Sequence, residues 1–438
     1  MSAKRFSNSR RRTVMALAVA ALFGGGFSAV HAANSSSPEV AAWCATRCDE
    51  LVIDWNATAY QVIKADENYA NPMSASRSLA MMHLAMHDAV NAAQPRYASY
   101  AYTERDSAAD PTVAAVTAAH DILAALYPKQ AVILKTALDK SLVDAGTTAA
   151  ATRGIALGKS VAAAVLKKRA ADGSSANMPY QQGSKPGEYR FTQGFDFAAA
   201  PQWRSITPFT LKGVDQFRSA PPPALTSAQY TAAFNEVKAV GGKVSSKRTA
   251  DEANYGAFWY EFSDIGWNRI ARVVARNQQQ DLWQRARTFA LVNAVMADAY
   301  IAGWDSKFHY NLWRPETAIR MAEADGNPQT TSDANFAPLL VTPPVQDYPS
   351  THSALGAAAA VVLAETFGRD DIGFTFTSTS SVSANPQRSF RSFSEAAREN
   401  ADSRVKAGLH FRFATSAGLK LGEDIGRFAV RNSLAPLH

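Results

Sequence analysis

The fold of this chain is indicated most clearly by residues 348–353 (YPSTHS), which run directly into the apolar segment 354–364 (ALGAAAAVVLA). Ser350 and Thr351 are both suitable N-cap residues, because a side-chain hydroxyl can accept a hydrogen bond from a free backbone N–H group of the first turn. We therefore predict a helix over residues 351–367, ended by the glycine that follows it.

Helical patterns dominate the sequence on both sides of this segment. Apolar residues recur at i, i+3 and i+4 spacing, and capping residues or glycines mark the ends. Predicted helices cover residues 76–91, 111–126, 130–145, 148–171, 226–240, 281–310, 394–408 and 416–432. Residues 173–223 combine Gly, Pro, Gln and Ser with scattered aromatics, which is typical of a long loop that packs on the protein. Residues 374–377 (FTFT) alternate like a strand, and we expect one arm of a short β-hairpin there.

These patterns predict an all-α protein, built from one or more helical bundles with long loops. We divide it into an N-terminal helical region, residues 33–225, and a C-terminal helical bundle, residues 226–438. The composition agrees with this fold class. Of the 438 residues, 47% are hydrophobic and 19% are charged, which excludes a disordered chain. Two cysteines are too few for a small disulfide scaffold.

Residues 1–32 have the layout of a secretory signal. Five Lys and Arg without an acidic residue precede an apolar run and a small-residue site that ends at Ala32. We expect cleavage after Ala32 and an exported protein, periplasmic or secreted; an uncleaved N-terminal anchor is the alternative. Residues 9–15 loosely resemble a twin-arginine signal. Cys44 and Cys48 follow, and we favour a local disulfide between them over a metal site, because further ligands are lacking nearby.

The net charge of +7 is mostly carried by this signal. Its removal leaves 40 Lys and Arg against 38 Asp and Glu, a net charge of +2. Partners that need a strongly basic protein, such as nucleic acid or an acidic membrane surface, are therefore not expected. We also expect no membrane span after removal of the signal. The sequence predicts no particular oligomeric state.

Three segments in the C-terminal third differ from ordinary helix sequence. In residues 307–315 (KFHYNLWRP), Lys307 and Arg314 are seven residues apart and would share a helix face two turns apart. Pro315 disfavours the helical conformation at Arg314, so we expect Arg314 at the end of the helix. Two cations that point the same way need an anion to offset their repulsion.

The other two segments add anion-binding groups. The helix start at residues 348–353 offers free backbone N–H groups and a positive dipole end, which also favours a neutral His352. In residues 403–410 (SRVKAGLH), Gly408 is expected to end a helix and leave the ring of His410 directed inward. Each segment alone is more typical of an ordinary cap or a protein surface. Together they suit the binding of one compact oxyanion.

The three segments together resemble a known signature. K-x6-R-P at 307–315, P-S-T-H at 349–352 and S-R-x5-H at 403–410 are similar to the signature of the vanadium-dependent haloperoxidases and the type 2 phosphatidic acid phosphatase superfamily. The order of the parts matches. Residues 79–90 (LAMMHLAMHDAV) and Trp304 resemble the haloperoxidase branch of that superfamily.

The resemblance implies a role for each matching residue. His352, His410 and Lys307 would be the catalytic residues, with His410 as the covalent protein ligand of vanadium and His352 as the acid–base residue. The oxyanion would be held by Lys307, Arg314, Ser350, the backbone N–H of Thr351, and Arg404. The implied cofactor is vanadate, and the implied partners are hydrogen peroxide, a halide and a small organic substrate. Lys307 would polarise the bound peroxide, and attack by the halide would give a hypohalous acid equivalent.

Two further hypotheses remain beside an exported haloperoxidase. The first is an exported acid phosphatase without a cofactor, in which His410 attacks a phosphomonoester and His352 protonates the leaving group. Vanadate on a histidine resembles a pentacoordinate phosphoryl transition state, so one pocket can serve both reactions. The second is a periplasmic oxyanion-binding protein without enzymatic activity.

Two positions depart from the family pattern. Thr351 stands where the family usually has glycine, and a threonine would be strained if that backbone needed a positive φ. Ala414 stands where the family often has an aspartate four residues after the histidine. His410 must therefore be oriented by a carbonyl, a water or another side chain.

His83 and His87 are four residues apart on one predicted helix and could pair on a metal. Leu84 occupies the place of the glutamate in a zinc protease motif. We therefore favour buried histidines that belong to the core or support the site.

Overall fold

The structure is a computed structural model that describes residues 48–66 and 71–437. It consists mostly of α-helices joined by loops, with one two-stranded sheet, which confirms the predicted all-α fold class. The predicted signal at residues 1–32 lies outside the described residues. So does Cys44, and with it the predicted Cys44–Cys48 disulfide.

Helices of the N-terminal part precede the long loop. They are α1 (Cys48–Ala65), α2 (Pro72–Ala93), α3 (Pro111–Leu126), α4 (Ala131–Leu142) and α5 (Ala149–Arg169). Asn71 and Asp110 cap α2 and α3 by accepting hydrogen bonds from first-turn N–H groups, and a proline follows each cap. By length and composition, α5 is the one described helix that could cross a bilayer; in the structure it packs on α3.

The C-terminal part contains the remaining helices and the sheet. The helices are α6 (Ala228–Val240), α7 (Ala250–Phe258), α8 (Ser263–Arg276), α9 (Leu282–Tyr310), α10 (Pro315–Arg320), α11 (Thr351–Phe367), α12 (Phe393–Lys406) and α13 (Arg412–Asn432). Strand β1 (Phe374–Thr377) pairs antiparallel with β2 (Gln387–Phe390), so the predicted hairpin is confirmed. Each predicted helix is present with ends shifted by a few residues. The sequence pattern missed α1, α7, α8 and α10.

The 29-residue helix α9 lies at the centre of the molecule. It contacts α2 on one side and α11 on the other, and nearly all its side chains are buried. Helix α11 is apolar on all sides and packs against α9, α12 and α13, as expected for a helix without a polar face. The main apolar core therefore contains residues from both predicted regions. The boundary between residues 225 and 226 stays a prediction.

The segment 173–223 is a long loop that contains the short 3₁₀ helix Pro201–Ser205. It packs on α9 through specific hydrogen bonds. The carboxylate of Asp298 accepts hydrogen bonds from the backbone N–H groups of Phe209 and Thr210, both at 2.7 Å. Nε1 of Trp304 donates to the carbonyl of Ala199 at 3.0 Å. These bonds hold the loop against the end of α9 that carries Lys307.

Candidate functional site

The three predicted segments meet at one cavity of about 710 Å³. Its lining includes Arg314, Thr351, His352, Arg404 and His410, one or more residues from each segment. Lys307 and Ser350, the remaining predicted site residues, are fully buried and do not line this cavity. The structure therefore brings together residues that lie up to about a hundred positions apart in the sequence.

Lys307 lies in the last turn of α9 and holds the chain that leads into α11. Its Nζ donates hydrogen bonds to the carbonyls of Gln346 at 2.6 Å and Asp347 at 3.1 Å. Burial, reinforced by the nearby charge of Arg314, lowers the pKa of the Lys307 ammonium well below its ordinary value. An anion close to this group would reverse that shift by favouring the charged form.

Arg314 reaches the site from an extended segment rather than from the helix of Lys307. Helix α9 ends at Tyr310, and Asn311 follows in the left-handed conformation with φ +52°. Arg314 has φ −79° and ψ 156° immediately before the proline that begins α10. The predicted shared helix face of Lys307 and Arg314 is therefore wrong, because Asn311 ends the helix between them.

The guanidinium of Arg314 joins the first segment to the other two. Its Nε donates to the carbonyl of Val345 at 2.6 Å, and its Nη1 donates to the carbonyl of Leu409 at 2.8 Å. The side chain is buried, which lowers the pKa of Arg314. Its two hydrogen bonds place the end of the third segment beside the chain that precedes α11.

Ser350 is the N-cap of α11. It is one of the two residues predicted for this position, and Thr351 is the other. Its Oγ accepts hydrogen bonds from the backbone N–H of Ser353 at 3.4 Å and from the Ser353 hydroxyl at 3.0 Å. The backbone N–H of Ser350 donates to the carbonyl of Ala414 at 2.9 Å. Ala414, which stands where the family often has an aspartate, thus holds the start of α11 through its backbone carbonyl.

Thr351 is accommodated without backbone strain. It lies in the first turn of α11, and positive φ among the described non-glycine residues is confined to Ala200, Asn311 and Leu434. Its side chain instead occupies space left by Gly303 of α9, where a built Cβ atom would overlap the Thr351 Cγ2 methyl. The absence of a side chain at Gly303 therefore compensates for the larger residue at position 351.

His352 faces the cavity from the first turn of α11. Its Nε2 lies 2.9 Å from the carbonyl of Trp259, so this nitrogen carries a proton and Nδ1 is the basic nitrogen of the neutral ring. Burial, with a further contribution from the charge of Arg404, lowers the pKa of His352 well below its ordinary value. The ring is therefore neutral, as predicted, although burial rather than the helix dipole is the main cause.

Arg404 projects from α12 into the cavity, and part of its guanidinium has no hydrogen-bond partner there. It is 3% exposed, and its Nε and Nη1 lack a hydrogen-bond partner among residues 48–66 and 71–437. Burial and the neighbouring Arg314 lower the pKa of Arg404 to about 10. Unpaired donors on a buried cation are costly unless an anion binds to them.

The chain turns sharply after Arg404 and leaves His410 at the cavity. Helix α12 ends at Lys406, and Gly408 follows with φ +80°. A Cβ atom on Gly408 would also overlap the carbonyl oxygen of Gly241, so both the conformation and the space require glycine. This confirms the predicted helix end, and the ring of His410 lines the cavity.

Asp347 is the site residue that sequence reasoning missed. Its Oδ1 lies 2.8 Å from Nδ1 of His410, while Nη1 of Arg314 lies 2.9 Å from Nε2 of the same ring. A guanidinium can only donate, so Nε2 accepts and the proton of the neutral ring is on Nδ1, the nitrogen that lies close to the carboxylate. The side chain of Asp347 thus takes the orienting place that Ala414 leaves empty. The available signal was an acidic residue three positions before Ser350.

The site contains more positively charged than negatively charged side chains. Asp347 is fully buried beside Arg314 and Lys307, and burial raises the pKa of its carboxyl to about 7 against the opposing effect of these cations. Burial and the surrounding cations lower the pKa of His410 well below its ordinary value. Arg314, Arg404 and two neutral histidines therefore line one end of the cavity, and Lys307 and Asp347 are buried next to these residues. Such a site is complementary to an anion.

The two histidines of α2 have separate partners. His83 Nε2 lies 2.8 Å from Nδ2 of Asn56, and His87 Nε2 lies 3.1 Å from the carbonyl of Ala98. Both rings are buried, which lowers the pKa of His83 to about 3 and that of His87 to about 4. Within the described part of the chain, no group of three or more metal-ligating side chains is found. These contacts place both histidines in the core of the protein.

Known proteins share the overall fold of this chain and the sequence of its C-terminal part. Residues 287–437 match the family model described as the VCPO second helical-bundle domain. The crystal structure of the first bacterial vanadium-dependent iodoperoxidase superposes with a TM-score of 0.76 at 28% identity, covering 89% of this chain and 97% of that one. The chain has the vanadium haloperoxidase fold. The predicted resemblance to these proteins is confirmed.

Two further relatives define the extent of the similarity. A vanadium chloroperoxidase from Curvularia inaequalis is 24% identical over an alignment of 398 residues, and the match covers 70% of this chain. The chain spans 64% of the length of that relative. The holo-type bacterial vanadium-dependent chloroperoxidase shares the fold with a TM-score of 0.65 at 18% identity, covering 82% of this chain and 92% of that one.

Proposed function

We propose that this protein is an exported vanadate-dependent haloperoxidase, which oxidises a halide with hydrogen peroxide at a vanadate bound to His410. The observation that carries the proposal is the pair of unpartnered donors, Nε and Nη1, on the buried guanidinium of Arg404, which lines one cavity together with His410 and Arg314. The relatives, which are vanadium haloperoxidases, support it.

The residues present fit vanadate in number and in chemistry. Nε and Nη1 of Arg404 are free donors, and the first-turn N–H groups of α11, including that of Thr351, begin at the same cavity. Lys307, Arg314 and Ser350 would complete the set that holds the oxyanion. His410 would be the ligand through Nε2, which requires Arg314 to turn its hydrogen bond from the ring toward the anion.

When bound, vanadate supplies a Lewis acid that activates peroxide for transfer of an oxygen atom to the halide. The chain supplies the charge and the proton handling. Arg404, Arg314 and Lys307 stabilise negative charge in a water-poor site, where such interactions are strong. His352, neutral with its proton on Nε2, offers Nδ1 as a base for the incoming peroxide.

An acid phosphatase is the second candidate, and one observation favours it. The contact of Asp347 with Nδ1 of His410 supplies an orienting carboxylate for a nucleophilic histidine, despite Ala414. His410 would attack the phosphorus of a phosphomonoester, and His352, protonated once the negative charge of the bound phosphoryl group favours the charged ring, would give a proton to the leaving oxygen. The same cations would bind the phosphoryl oxygens.

Paired assays on one preparation distinguish these functions. Protein with and without orthovanadate is tested for peroxide-dependent triiodide formation and for hydrolysis of p-nitrophenyl phosphate, and bound vanadium is quantified. We expect halide oxidation only with vanadate, with loss in His410→Ala. Hydrolysis by the metal-free protein without halide oxidation by the loaded protein would overturn the assignment. Tight phosphate binding without turnover of either substrate would indicate an oxyanion-binding protein.

Export is proposed from the basic and apolar layout of residues 1–32. Expression in a Gram-negative host followed by cell fractionation tests it. We expect the periplasmic or secreted protein to begin after Ala32, as read by N-terminal sequencing. Retention of the intact N-terminus in the cytoplasmic fraction would contradict export.

A further inference from the structure

A second cavity lies far from the candidate site, near the other end of α9. Its volume is about 220 Å³, and it is lined by Arg287, four glutamines, two threonines and the rings of Tyr97 and Phe367. Arg287 and Lys307 belong to the same helix and are about 30 Å apart along its axis. The lining residues come from the segment after α2, the turn between α8 and α9, the first turns of α9 and the end of α11. We call this space the Arg287 cavity.

Arg287 is a half-buried cation that forms no ion pair within residues 48–66 and 71–437. Its Nε donates to the carbonyl of Leu434 at 2.7 Å, and its Nη2 donates weakly to the carbonyl of Val430 at 3.5 Å. Its Nη1 has no hydrogen-bond partner in the same part of the chain. Burial lowers the pKa of Arg287, and the group that opposes this shift is the hydroxyl of Tyr97 rather than a carboxylate. An anion in the cavity would therefore supply the partner that this cation lacks.

Amide donors without a partner lie around this cation. The side-chain amides of Gln278 and Gln279 make no hydrogen bond within the described ranges of the chain. Oε1 of Gln284 accepts from the backbone N–H of Asp281 at 3.0 Å, which leaves the NH₂ group of Gln284 available. No acidic residue is among the lining residues, and the nearby Asp281 is paired with Arg96. The cavity therefore combines one positive charge with several free N–H donors.

These groups fit a ligand with one negative charge and a flat body. A carboxylate can accept hydrogen bonds from a guanidinium and from an amide at the same time. A phosphate dianion would need a second cation, and Arg287 is the one charged residue in the lining. The guanidinium carbon of Arg287 lies 5.2 Å from the centre of the Tyr97 ring, so an apolar ring surface adjoins the cation. The volume is below the range of about 300–1,000 Å³ typical of sites for drug-sized molecules, which limits the ligand to a small one.

We propose that the Arg287 cavity is a second binding site, which takes the carboxylate of a small, singly charged organic acid. Nη1 of Arg287 and the neighbouring glutamine amides bind the carboxylate, and the rings of Tyr97 and Phe367 contact the body of the ligand. The site shares no lining residue with the cavity that contains His352 and His410. The inference therefore does not depend on the proposed haloperoxidase function.

Isothermal titration calorimetry with benzoate tests the proposal on the full chain without vanadate. Benzamide, which has the same shape without the charge, is titrated in parallel. Arg287→Met removes the cation, whereas Gln278→Glu keeps Arg287 and its bonds but adds a carboxylate that competes with the ligand. We expect a benzoate dissociation constant of about 1 mM or below, an increase of about tenfold or more in both variants, and no binding of benzamide. Gln329→Glu is the matched control, because this glutamine is exposed and does not line the cavity.

The cations of the larger cavity are a competing site for benzoate, so the titrations are repeated in Arg404→Met. We expect the binding that depends on Arg287 to be unchanged in this variant. Binding lost in Arg404→Met but retained in Arg287→Met and Gln278→Glu would place benzoate in the larger cavity and overturn the proposal. Absence of benzoate binding, equal binding of benzamide, or full affinity in Gln278→Glu would also overturn it. Absence of halide oxidation would contradict only the proposed function, because these titrations measure binding without turnover.

Discussion

Oδ1 of Asp347 lies 2.8 Å from Nδ1 of His410, and both side chains are buried. Asp347 belongs to the chain before α11, whereas His410 follows α12, so this contact joins the third signature segment to the chain that leads into the second. It also directs the lone pair of Nε2 toward Arg314 and the cavity. The orientation of the proposed metal ligand thus depends on a residue outside the signature.

Removing this carboxylate should weaken vanadate binding. In Asp347→Ala the ring loses the carboxylate beside Nδ1, and we expect the vanadate dissociation constant to rise about 10–100-fold. Asp347→Asn keeps an acceptor oxygen, so its loss should be smaller. Isothermal titration with orthovanadate measures both variants. Asp371→Asn is the control, because that carboxylate is 75% exposed. Equal affinity in all four proteins would show that the contact does not orient His410.

Arg404 should contribute strongly to anion affinity and little to stability. Charge-assisted hydrogen bonds contribute about 1.5–3 kcal/mol each, so Arg404→Met should raise the phosphate dissociation constant about 10–150-fold. Its free energy of unfolding without anion should not fall, because a buried cation with unpaired donors is itself unfavourable. Calorimetric titration and urea unfolding measure the two effects. Arg391→Met, at a side chain 91% exposed, is the matched control. A large loss of stability with unchanged affinity would make Arg404 a structural residue.

Gly303 and Thr351 should behave as a coupled pair. Gly303→Ala places a methyl group against the Thr351 side chain, and overpacking of this kind costs about 1–3 kcal/mol of unfolding free energy. Thr351→Ala removes the opposing methyl, so the double variant should recover most of that loss. A double-mutant cycle from urea unfolding measures the coupling. Strictly additive free energies would show that the two positions do not compensate each other.

His83 should make the protein less stable in acid. Burial lowers its pKa in the folded state to about 3, whereas the unfolded chain takes up a proton near pH 6.5. Its contribution to stability is therefore complete above pH 6.5 and is lost as the pH falls toward 3, by at most about 1.4 kcal/mol per pH unit. Urea unfolding between pH 7.5 and pH 4.5 measures the slope. His83→Gln should reduce it, whereas His309→Gln, at an exposed site, should not. An unchanged slope in His83→Gln would contradict the assignment.

Local signals in the sequence suffice for most of the helical fold. Helix α11 was predicted at the bounds observed, because an N-cap, an apolar run and a terminal glycine act over short distances. Short helices such as α7 and α10 were missed, since a few turns leave little periodicity. The extent of α9 was predicted to within one residue at residues 281–310, whereas the expected position of Arg314 at the end of this helix was wrong, because Asn311 adopts the left-handed conformation and ends it earlier.

The sequence by itself also predicted the chemistry of the site. The signature places lysine, arginine and histidine at fixed spacing around a helix start. This pattern indicates an oxyanion site before any tertiary contact is known. Only the tertiary structure decided what surrounds them. Asp347 meets His410 and Thr351 fits against Gly303 because separate elements pack together, and neither contact has a local sequence pattern. The cavity of the candidate site likewise forms between the long loop, α9 and α11, so its size and wall depend on packing over long sequence distances.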